Sequence, residues 1–276
     1  MLHGGKFGLH NQTFEVREYD PSSFIQLTLE SEINDMGFPG RFSLDITYTL
    51  NNNNTVGILY EARSSETCPI NLSNHSYWCP SGDPSAPITK QNLTIYSNAT
   101  TPVDSELIPT GEIKSTPDGD VFDFFCNGEG KLVGTHNEAD NQQIKFGKGY
   151  DHNFVLMTKD EAAAKGVNFD GKFEITDDGS DMLKDKVRLA AKVYSDVSGI
   201  TMTIKTTEPA IQFFDCHDQD GSLVGINNKP FEKHAAFVLE PQHYPDSPNH
   251  PNFPNTMYLP TEVYRSKSEY SFTVSA

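Results

Sequence analysis

Apolar and polar residues alternate one by one along much of this chain, and the alternation leaves few folds open to it. Over five to ten residues this pattern is typical of a β-strand with one buried face, because successive side chains point to opposite sides of a sheet. Gly, Pro, Asn and Asp, which favour turns, separate the alternating segments. The predicted strands are 24–30, 41–50, 56–63, 187–193, 201–206, 235–239 and 270–274. We therefore predict an all-β fold, either a sandwich or a barrel.

One segment departs from the alternation. Residues 159–165, Lys-Asp-Glu-Ala-Ala-Ala-Lys, are predicted to form a short peripheral helix. The chain has no internal repeat, low-complexity linker or break in composition. We expect residues 1–276 to form a single domain, because this length is sufficient for one large packed core.

The charge balance limits the partners that this chain can bind. Acidic residues outnumber basic ones, 38 against 21, which gives a formal net charge of −17. Nucleic acids and anionic membrane surfaces require a basic patch, so neither is an expected partner. The sequence contains no run of about 18 apolar residues and no apolar secretory signal. We expect a cytoplasmic monomer with a small neutral ligand.

The four cysteines do not suggest a metal site. Cys68, Cys79, Cys126 and Cys216 are scattered without the C-x-x-C spacing that many zinc sites use. A disulfide framework is not expected in a chain of this size either. We therefore predict that no metal is bound.

Two distant segments contain the best candidates for acid–base chemistry. His75 lies among side-chain amides and hydroxyls in Asn-Leu-Ser-Asn-His-Ser-Tyr-Trp at 71–78, a setting that could fix its tautomer. Glu240 follows the apolar residues 237–239, where partial burial would raise its pKa toward the range of a general base. A His and a Glu in one polar cleft can pass a proton in each direction across a small substrate. From the residues alone, a structural His and an exposed Glu at a strand end are equally good interpretations.

Other polar residues have simpler interpretations. Asp151 precedes an apolar run, where it could bind sugar hydroxyls or cap a turn, and the residues alone favour the turn. Six further histidines lie in polar loops or at strand ends, and we expect them to be solvated surface residues. They are His10, His136, His217, His234, His243 and His250.

Taken in order, a series of short segments resembles the aldose 1-epimerase (galactose mutarotase) family along nearly the whole chain. Each segment alone is a weak signal, but their occurrence in the order of the family is a strong one. The segments are Leu-His-Gly-Gly at 2–5, Gly-Phe-Pro-Gly at 37–40, Asn-Leu-Ser-Asn-His-Ser-Tyr at 71–77, Ile-Pro-Thr-Gly-Glu at 108–112, Gly-Tyr-Asp-His-Asn-Phe at 149–154, Glu-Pro-Ala-Ile-Gln-Phe at 208–213, Leu-Glu-Pro-Gln at 239–242, Pro-Asp-Ser-Pro-Asn at 245–249 and Asn-Phe-Pro at 252–254.

The resemblance implies a β-supersandwich, in which large antiparallel sheets surround an open sugar-binding cleft. It implies interconversion of the α and β anomers of a free aldohexose such as glucose or galactose, without a cofactor. By motif, Glu240 would be the general base and His75 the general acid. His3, Asp151 and Gln212 match family positions that bind the sugar.

The chain also departs from the family pattern. Members usually have about 70 or more residues before the Leu-His-Gly-Gly segment, including an Asn-Arg pair that contacts the sugar. We expect this chain to lack that N-terminal segment, which leaves His3 near a terminus where chains commonly fray. Pro241 stands where Thr is common and removes a backbone donor beside Glu240. Thr261 stands where Gly is usual.

Three alternatives to a mutarotase are open at this stage. The first is a non-catalytic carbohydrate-binding protein on the same fold, suggested by the missing sugar contacts. The second is a hexose-6-phosphate epimerase, which the scarcity of Arg in the matched motifs disfavours. The third is a glycosidase that uses Asp151 and Glu240 as paired carboxyl groups.

Overall fold

The computed structural model describes residues 2–175, 183, 186–225 and 228–275. No helix in these ranges is long and apolar enough to cross a membrane. The strands, in chain order, are Glu15–Asp20 (β1), Phe24–Glu30 (β2), Phe42–Asn51 (β3), Thr55–Ser64 (β4), Cys68–Pro69 (β5), Tyr77–Trp78 (β6), Asn92–Ile95 (β7), Ser97–Thr100 (β8), Lys114–Ser115 (β9), Lys131–Leu132 (β10), Asp151–Leu156 (β11), Arg188–Tyr194 (β12), Ile200–Thr206 (β13), Ala210–Phe214 (β14), Phe237–Gln242 (β15), Met257–Tyr258 (β16) and Tyr264–Val274 (β17).

Helices are short and few in the described ranges. The predicted helix is present as α2 (Lys159–Ala164), and Thr158 and Glu161 form a capping box at its N-terminus. A second helix, α1 (Gln142–Gly147), was not predicted, since six residues are too few to show a helical period. Single 3₁₀ turns occur at Leu2–Gly4, Leu9–Asn11, Asp35–Gly37, Ile88–Lys90, Cys126–Gly128, Val133–Thr135 and Ser247–Asn249.

The strands form two large antiparallel sheets and one small one. The nine-stranded sheet has the order β1-β2-β3-β4-β17-β13-β12-β7-β10. The six-stranded sheet has the order β6-β15-β14-β11-β8-β9, and β16 pairs with β5. This architecture confirms the predicted all-β class and the supersandwich of large antiparallel sheets.

One apolar core fills the space between the two large sheets. Residues of β3, β4, β13 and β17 from the nine-stranded sheet share a single buried cluster with residues of β11, β14 and β15 from the six-stranded sheet. The members from β11, β14 and β15 are Phe154, Leu156, Ile211, Phe213, Phe237 and Leu239. Because side chains alternate along each strand, the residues between these members point away from the core. The six-stranded sheet therefore has a second face, here called the polar face, which carries Asp151, Asn153, Gln212 and Glu240 together with the apolar Phe214 and Val238.

Pro241 lies inside β15 without disrupting the sheet. It is opposite Ile211 of β14, and its carbonyl oxygen accepts a hydrogen bond from Ser73 Oγ at 2.8 Å. In an antiparallel strand, the N–H and C=O of one residue point to the same side. Since the carbonyl points away from β14, the missing N–H removes no bond of the β14–β15 ladder, which is how a proline is tolerated at an open edge.

Candidate active site

Two rows of side chains cross the polar face of the six-stranded sheet. In the first row, Asn153, Gln212 and Glu240 are directly opposite one another on β11, β14 and β15. The second row is offset from the first by two residues along each strand. It consists of Asp151, Phe214, Val238 and Tyr77. These two rows form the floor of the candidate active site. Glu240 was expected at the end of a strand, but it lies within β15.

The polar residues around His75 anchor the segment that contains it. Asn71 Nδ2 donates to the His243 carbonyl at 3.0 Å, and the His243 N–H donates back to Asn71 Oδ1 at 3.0 Å. Ser73 bonds Pro241 of β15, and Asn74 Oδ1 accepts the Ser76 N–H at 3.2 Å. We expected these side chains to orient the imidazole itself. Instead, they fix the backbone, and the fixed backbone places the ring over β15.

The structure brings the two candidate acid–base residues together. His75 Nε2 lies 3.7 Å from Glu240 Oε1. The side chain of Glu240 is 13% exposed and that of His75 is 36% exposed, so the pair opens to solvent on the His75 side. A small molecule lying against the open side of the pair can therefore contact both groups at once through two neighbouring oxygen atoms.

Burial changes the acidity of the carboxyl groups on this face. Burial raises the pKa of Glu240 to about 8, and the negative charge of Asp151 acts in the same direction. Burial also raises the pKa of Asp151, while the hydrogen bond from Gln212 acts in the opposite direction. A carboxyl with a pKa near neutrality can take up and release a proton under physiological conditions, as a general base must.

Side-chain amides connect the two rows of the floor. Gln212 Nε2 donates to Asp151 Oδ1 at 2.7 Å. Gln242 Nε2 donates to Asn153 Oδ1 at 3.1 Å and approaches Gln212 Oε1 at 3.4 Å. The network fixes the direction of each amide, so that Asp151 and Gln212 present defined acceptors and donors. Gln242 and Asn153 belong to the matched sequence motifs but were not predicted to act in the site.

His3 lies at the exposed rim of the site. Its ring centroid is 5.4 Å from that of His75, in an edge-to-face arrangement. The turn that holds it depends on Gly8, where a Cβ would lie 2.1 Å from the His3 carbonyl oxygen. Partial burial lowers the pKa of His3, and charge on His75 and His10 acts in the same direction. All five residues predicted for the site, His3, His75, Asp151, Gln212 and Glu240, thus lie on the polar face of the six-stranded sheet or at its rim.

Four histidines predicted to be solvated at the surface are instead mostly buried and hydrogen-bonded, and His250, whose Nε2 contacts Asp246 Oδ2 and the Pro109 carbonyl at 3.2 Å each, is one of them. His217 Nδ1 pairs with Asp215 Oδ1 at 2.8 Å, and His234 Nδ1 bonds the Asp215 carbonyl at 2.8 Å. His243 Nδ1 pairs with Glu208 Oε2 at 2.5 Å. The prediction for these four was wrong because sequence does not show which carboxylate or carbonyl a loop residue will meet.

The arrangement suits proton transfer to and from a small polar ligand. Glu240 and His75 can exchange protons with it, and the amides and Asp151 can hydrogen-bond its hydroxyl groups. Among the described residues, no group of three or more His, Cys, Asp or Glu side chains is placed to hold a metal ion.

Sequence comparison connects this geometry to one family. A family model described as aldose 1-epimerase matches residues 1–271. Galactose mutarotase from Bos taurus is 32% identical over 274 residues, which cover 99% of this chain and 69% of the relative. Aldose 1-epimerase from Escherichia coli K12 is 32% identical over 278 residues, which cover 99% of this chain and 70% of the relative.

Solved structures show the same fold. The crystal structure of an aldose epimerase homologue from C. elegans superposes with a TM-score of 0.76 at 24% identity, covering 100% of this chain and 73% of that one. The structure of galactose 1-epimerase from Lactobacillus acidophilus gives a TM-score of 0.76 at 23% identity, with 100% and 70% coverage. The supersandwich expected from the resemblance is therefore confirmed.

Proposed function

The chain belongs to the aldose 1-epimerase family, and we propose that it interconverts the α and β anomers of free aldohexoses by acid–base ring opening. The single observation that carries this proposal is the 3.7 Å approach of His75 Nε2 to Glu240 Oε1 on a polar sheet face. Ring opening requires one proton to be removed and one to be supplied, and this pair has a group for each task.

In the proposed reaction, Glu240 takes the proton of the C1 hydroxyl while His75 gives a proton to the ring oxygen. The electrons of the O–H bond form the carbonyl, and the bond between C1 and the ring oxygen breaks. Rotation about C1–C2 then presents the other face of the aldehyde. Reclosure with the two roles reversed gives the other anomer and restores both residues, so that no net proton is consumed.

The carboxyl of Glu240 suits this cycle because its environment raises its pKa to about 8. Its protonated and ionised forms then lie close in free energy, as the reversal of roles requires. Placed acid and base groups of this kind typically contribute about 10²–10⁴ in rate.

The other floor residues bind and orient the sugar in this proposal. Asp151 and Gln212 are joined by a 2.7 Å hydrogen bond and present an acceptor and an amide to the hydroxyl groups. The backbones of Asp151 and Glu240 are two strands and two residues apart, roughly 12 Å, so the side chains of both can reach one pyranose. His3 contributes from the rim beside His75.

Polarimetry tests the proposal directly. Fresh α-D-glucose and α-D-galactose are dissolved with and without the purified chain, and circular dichroism on the same sample confirms that it is folded. We expect a faster decay of optical rotation in proportion to protein concentration. A folded protein that binds these sugars but leaves the decay unchanged would instead be a carbohydrate-binding protein.

We further propose that residues 1–276 act as one domain, as a monomer in the cytoplasm. The buried cluster shared by both large sheets supports the single domain. All four cysteines lie in the described ranges and are free, which is usual for a reducing compartment.

A further inference from the structure

A second carboxylate–histidine pair lies at the Asp151 end of the site. The carboxylate of Asp215 is completely buried, and its Oδ1 accepts a hydrogen bond from His217 Nδ1 at 2.8 Å. Its other oxygen accepts the backbone N–H of Tyr150 at 3.2 Å. Because Nδ1 of His217 is held by Asp215, Nε2 is the nitrogen left for a ligand.

The register of the sheet places His217 against the floor of the site. Phe214 is directly opposite Asp151 in the second row, and the His217 ring meets the Phe214 ring edge-on with centroids 5.1 Å apart. The side chain of His217 is only 11% exposed, so the surrounding residues fix its position. The backbone of Gly149 also packs closely against the His217 ring, since a Cβ on Gly149 would lie 3.1 Å from His217 Nδ1.

Charge supports the same placement. Burial raises the pKa of Asp151, the Gln212 hydrogen bond lowers it, and the charge of His217 is the next contribution that lowers it. His217 and Asp151 therefore lie close enough to interact electrostatically, which places His217 at the Asp151 end of the site.

We propose that His217, oriented by Asp215, is an additional sugar-binding residue that hydrogen-bonds a hydroxyl group at the Asp151 end of the site and so contributes to the choice among aldohexoses. This inference rests on the proposed mutarotase function. Glu240 and His75 act on C1 and the ring oxygen, so the hydroxyl that His217 meets belongs to another carbon.

The test compares the loss of a hydroxyl from the sugar with the loss of the imidazole from the protein. Mutarotation is measured for glucose and for its 2-, 3-, 4- and 6-deoxy analogues, with the wild-type chain, His217→Ala and His217→Gln. For one analogue, we expect the wild type to lose roughly tenfold or more in kcat/KM relative to glucose, the usual effect of one such hydrogen bond. With His217→Ala, the absence of that hydroxyl should no longer lower kcat/KM, while kcat/KM relative to glucose stays at the wild-type value for the other analogues. His217→Gln should recover part of the lost discrimination.

A matched control separates binding from folding. His250 also pairs with a carboxylate, Asp246 at 3.2 Å, but its other hydrogen-bond partner is the carbonyl of Pro109. His250→Ala should leave every deoxy ratio, which is kcat/KM of a deoxy analogue relative to that of glucose, at the wild-type value. Circular dichroism and thermal melts on each variant exclude a loss of fold.

The outcomes distinguish this inference from the proposed function. Deoxy ratios that are the same in the wild type and in His217→Ala overturn the role of His217, even if mutarotation is fast. A wild-type chain without mutarotase activity overturns the proposed function, and the same panel is then measured as sugar affinity by ligand-observed NMR. Affinity ratios that respond to His217→Ala at one hydroxyl still support the contact, and ratios that do not respond, or no sugar binding at all, overturn it.

Discussion

His75 Nε2 and Glu240 Oε1 lie 3.7 Å apart, although one belongs to an irregular segment and the other to the interior of a strand. The contact exists because hydrogen bonds of Asn71 and Ser73 tie the irregular segment to the end of β15 and the residue that follows it. The backbone around His75 is thus held by the strand that contains Glu240. This coupling holds His75 and Glu240 at positions where one ligand can contact both side chains.

We expect Glu240→Gln and His75→Asn each to reduce mutarotation at least about 10²-fold, because each removes one half of the proton transfer. The double variant should be little worse than either single variant, since the two groups act as a unit. The measurement is the polarimetric rate constant with α-D-glucose, corrected for the buffer rate. Glu232→Gln and His136→Asn, which change the same residue types elsewhere, are the matched controls. Undiminished activity in both site variants would contradict the assignment of Glu240 and His75 to proton transfer.

The raised pKa of Glu240 predicts a pH-dependent effect on stability. Its pKa is about 8 in the folded protein and about 4.5 when unfolded, so the folded state favours the protonated carboxyl. The stability that this preference provides is fully present below about pH 4.5 and is lost as the pH rises through about 8. Between pH 5 and pH 8 the loss is at most about 4 kcal/mol.

Glu240→Gln removes this dependence, because an amide does not titrate. We therefore expect the variant to be more stable than the wild type at pH 8, with a smaller difference at pH 5. Urea denaturation at both pH values gives the two free energies of unfolding. A gap between variant and wild type that is the same at both pH values contradicts the buried-carboxyl interpretation.

The network of floor amides predicts a supporting role for Gln242. Gln242→Leu keeps the approximate size but leaves Asn153 Oδ1 and Gln212 Oε1 without their shared donor. We expect kcat/KM for mutarotation to fall about tenfold, because Gln212 loses its fixed direction toward Asp151 and the sugar. The measurement is the initial rate over a range of sugar concentrations. Wild-type kinetics in a folded variant would show that Gln212 is oriented without Gln242.

Local sequence predicted much of this fold for a physical reason. In β3, for example, Leu44 and Ile46 are buried while Asp45 between them is partly exposed, so the alternation marks the strand and its approximate bounds. The edge strand β1, in contrast, is exposed along its whole length and carries no such alternation. The short strand β14 is buried over most of its length, with Gln212 the only polar side chain in it, and was not predicted either. Local pattern cannot identify a strand whose burial comes from partners far away in the chain.

The site divides in the same way. His75 and Glu240 could be proposed from their motifs, because proton transfer requires specific residue types in polar settings. His217 could not, because its position against Phe214 depends on the pairing of β11 with β14. A usable signal was the Asp-x-His spacing of 215–217 directly after an apolar run. Its meaning became clear only when the strand register was known.

Gly149 provides a final test, because its backbone packs closely against the Asp215–His217 pair. Its φ is +142°, a conformation that favours glycine, and a Cβ there would lie 2.8 Å from Asp215 Oδ2. Gly149→Ala should therefore cost about 3 kcal/mol of stability, combining backbone strain with the displacement of a buried carboxylate.

Gly82→Ala is the matched control, since Gly82 also has a positive φ, +71°, but a Cβ there would meet no atom within 4 Å among the described residues beyond its chain neighbours. It should cost only about 1–2 kcal/mol. Urea denaturation gives both values, and an equal cost for the two variants would mean that the space behind Asp215 adapts to a methyl group. A larger cost at Gly149, accompanied by a raised KM for sugar, would connect the packing of Gly149 against Asp215 to sugar binding.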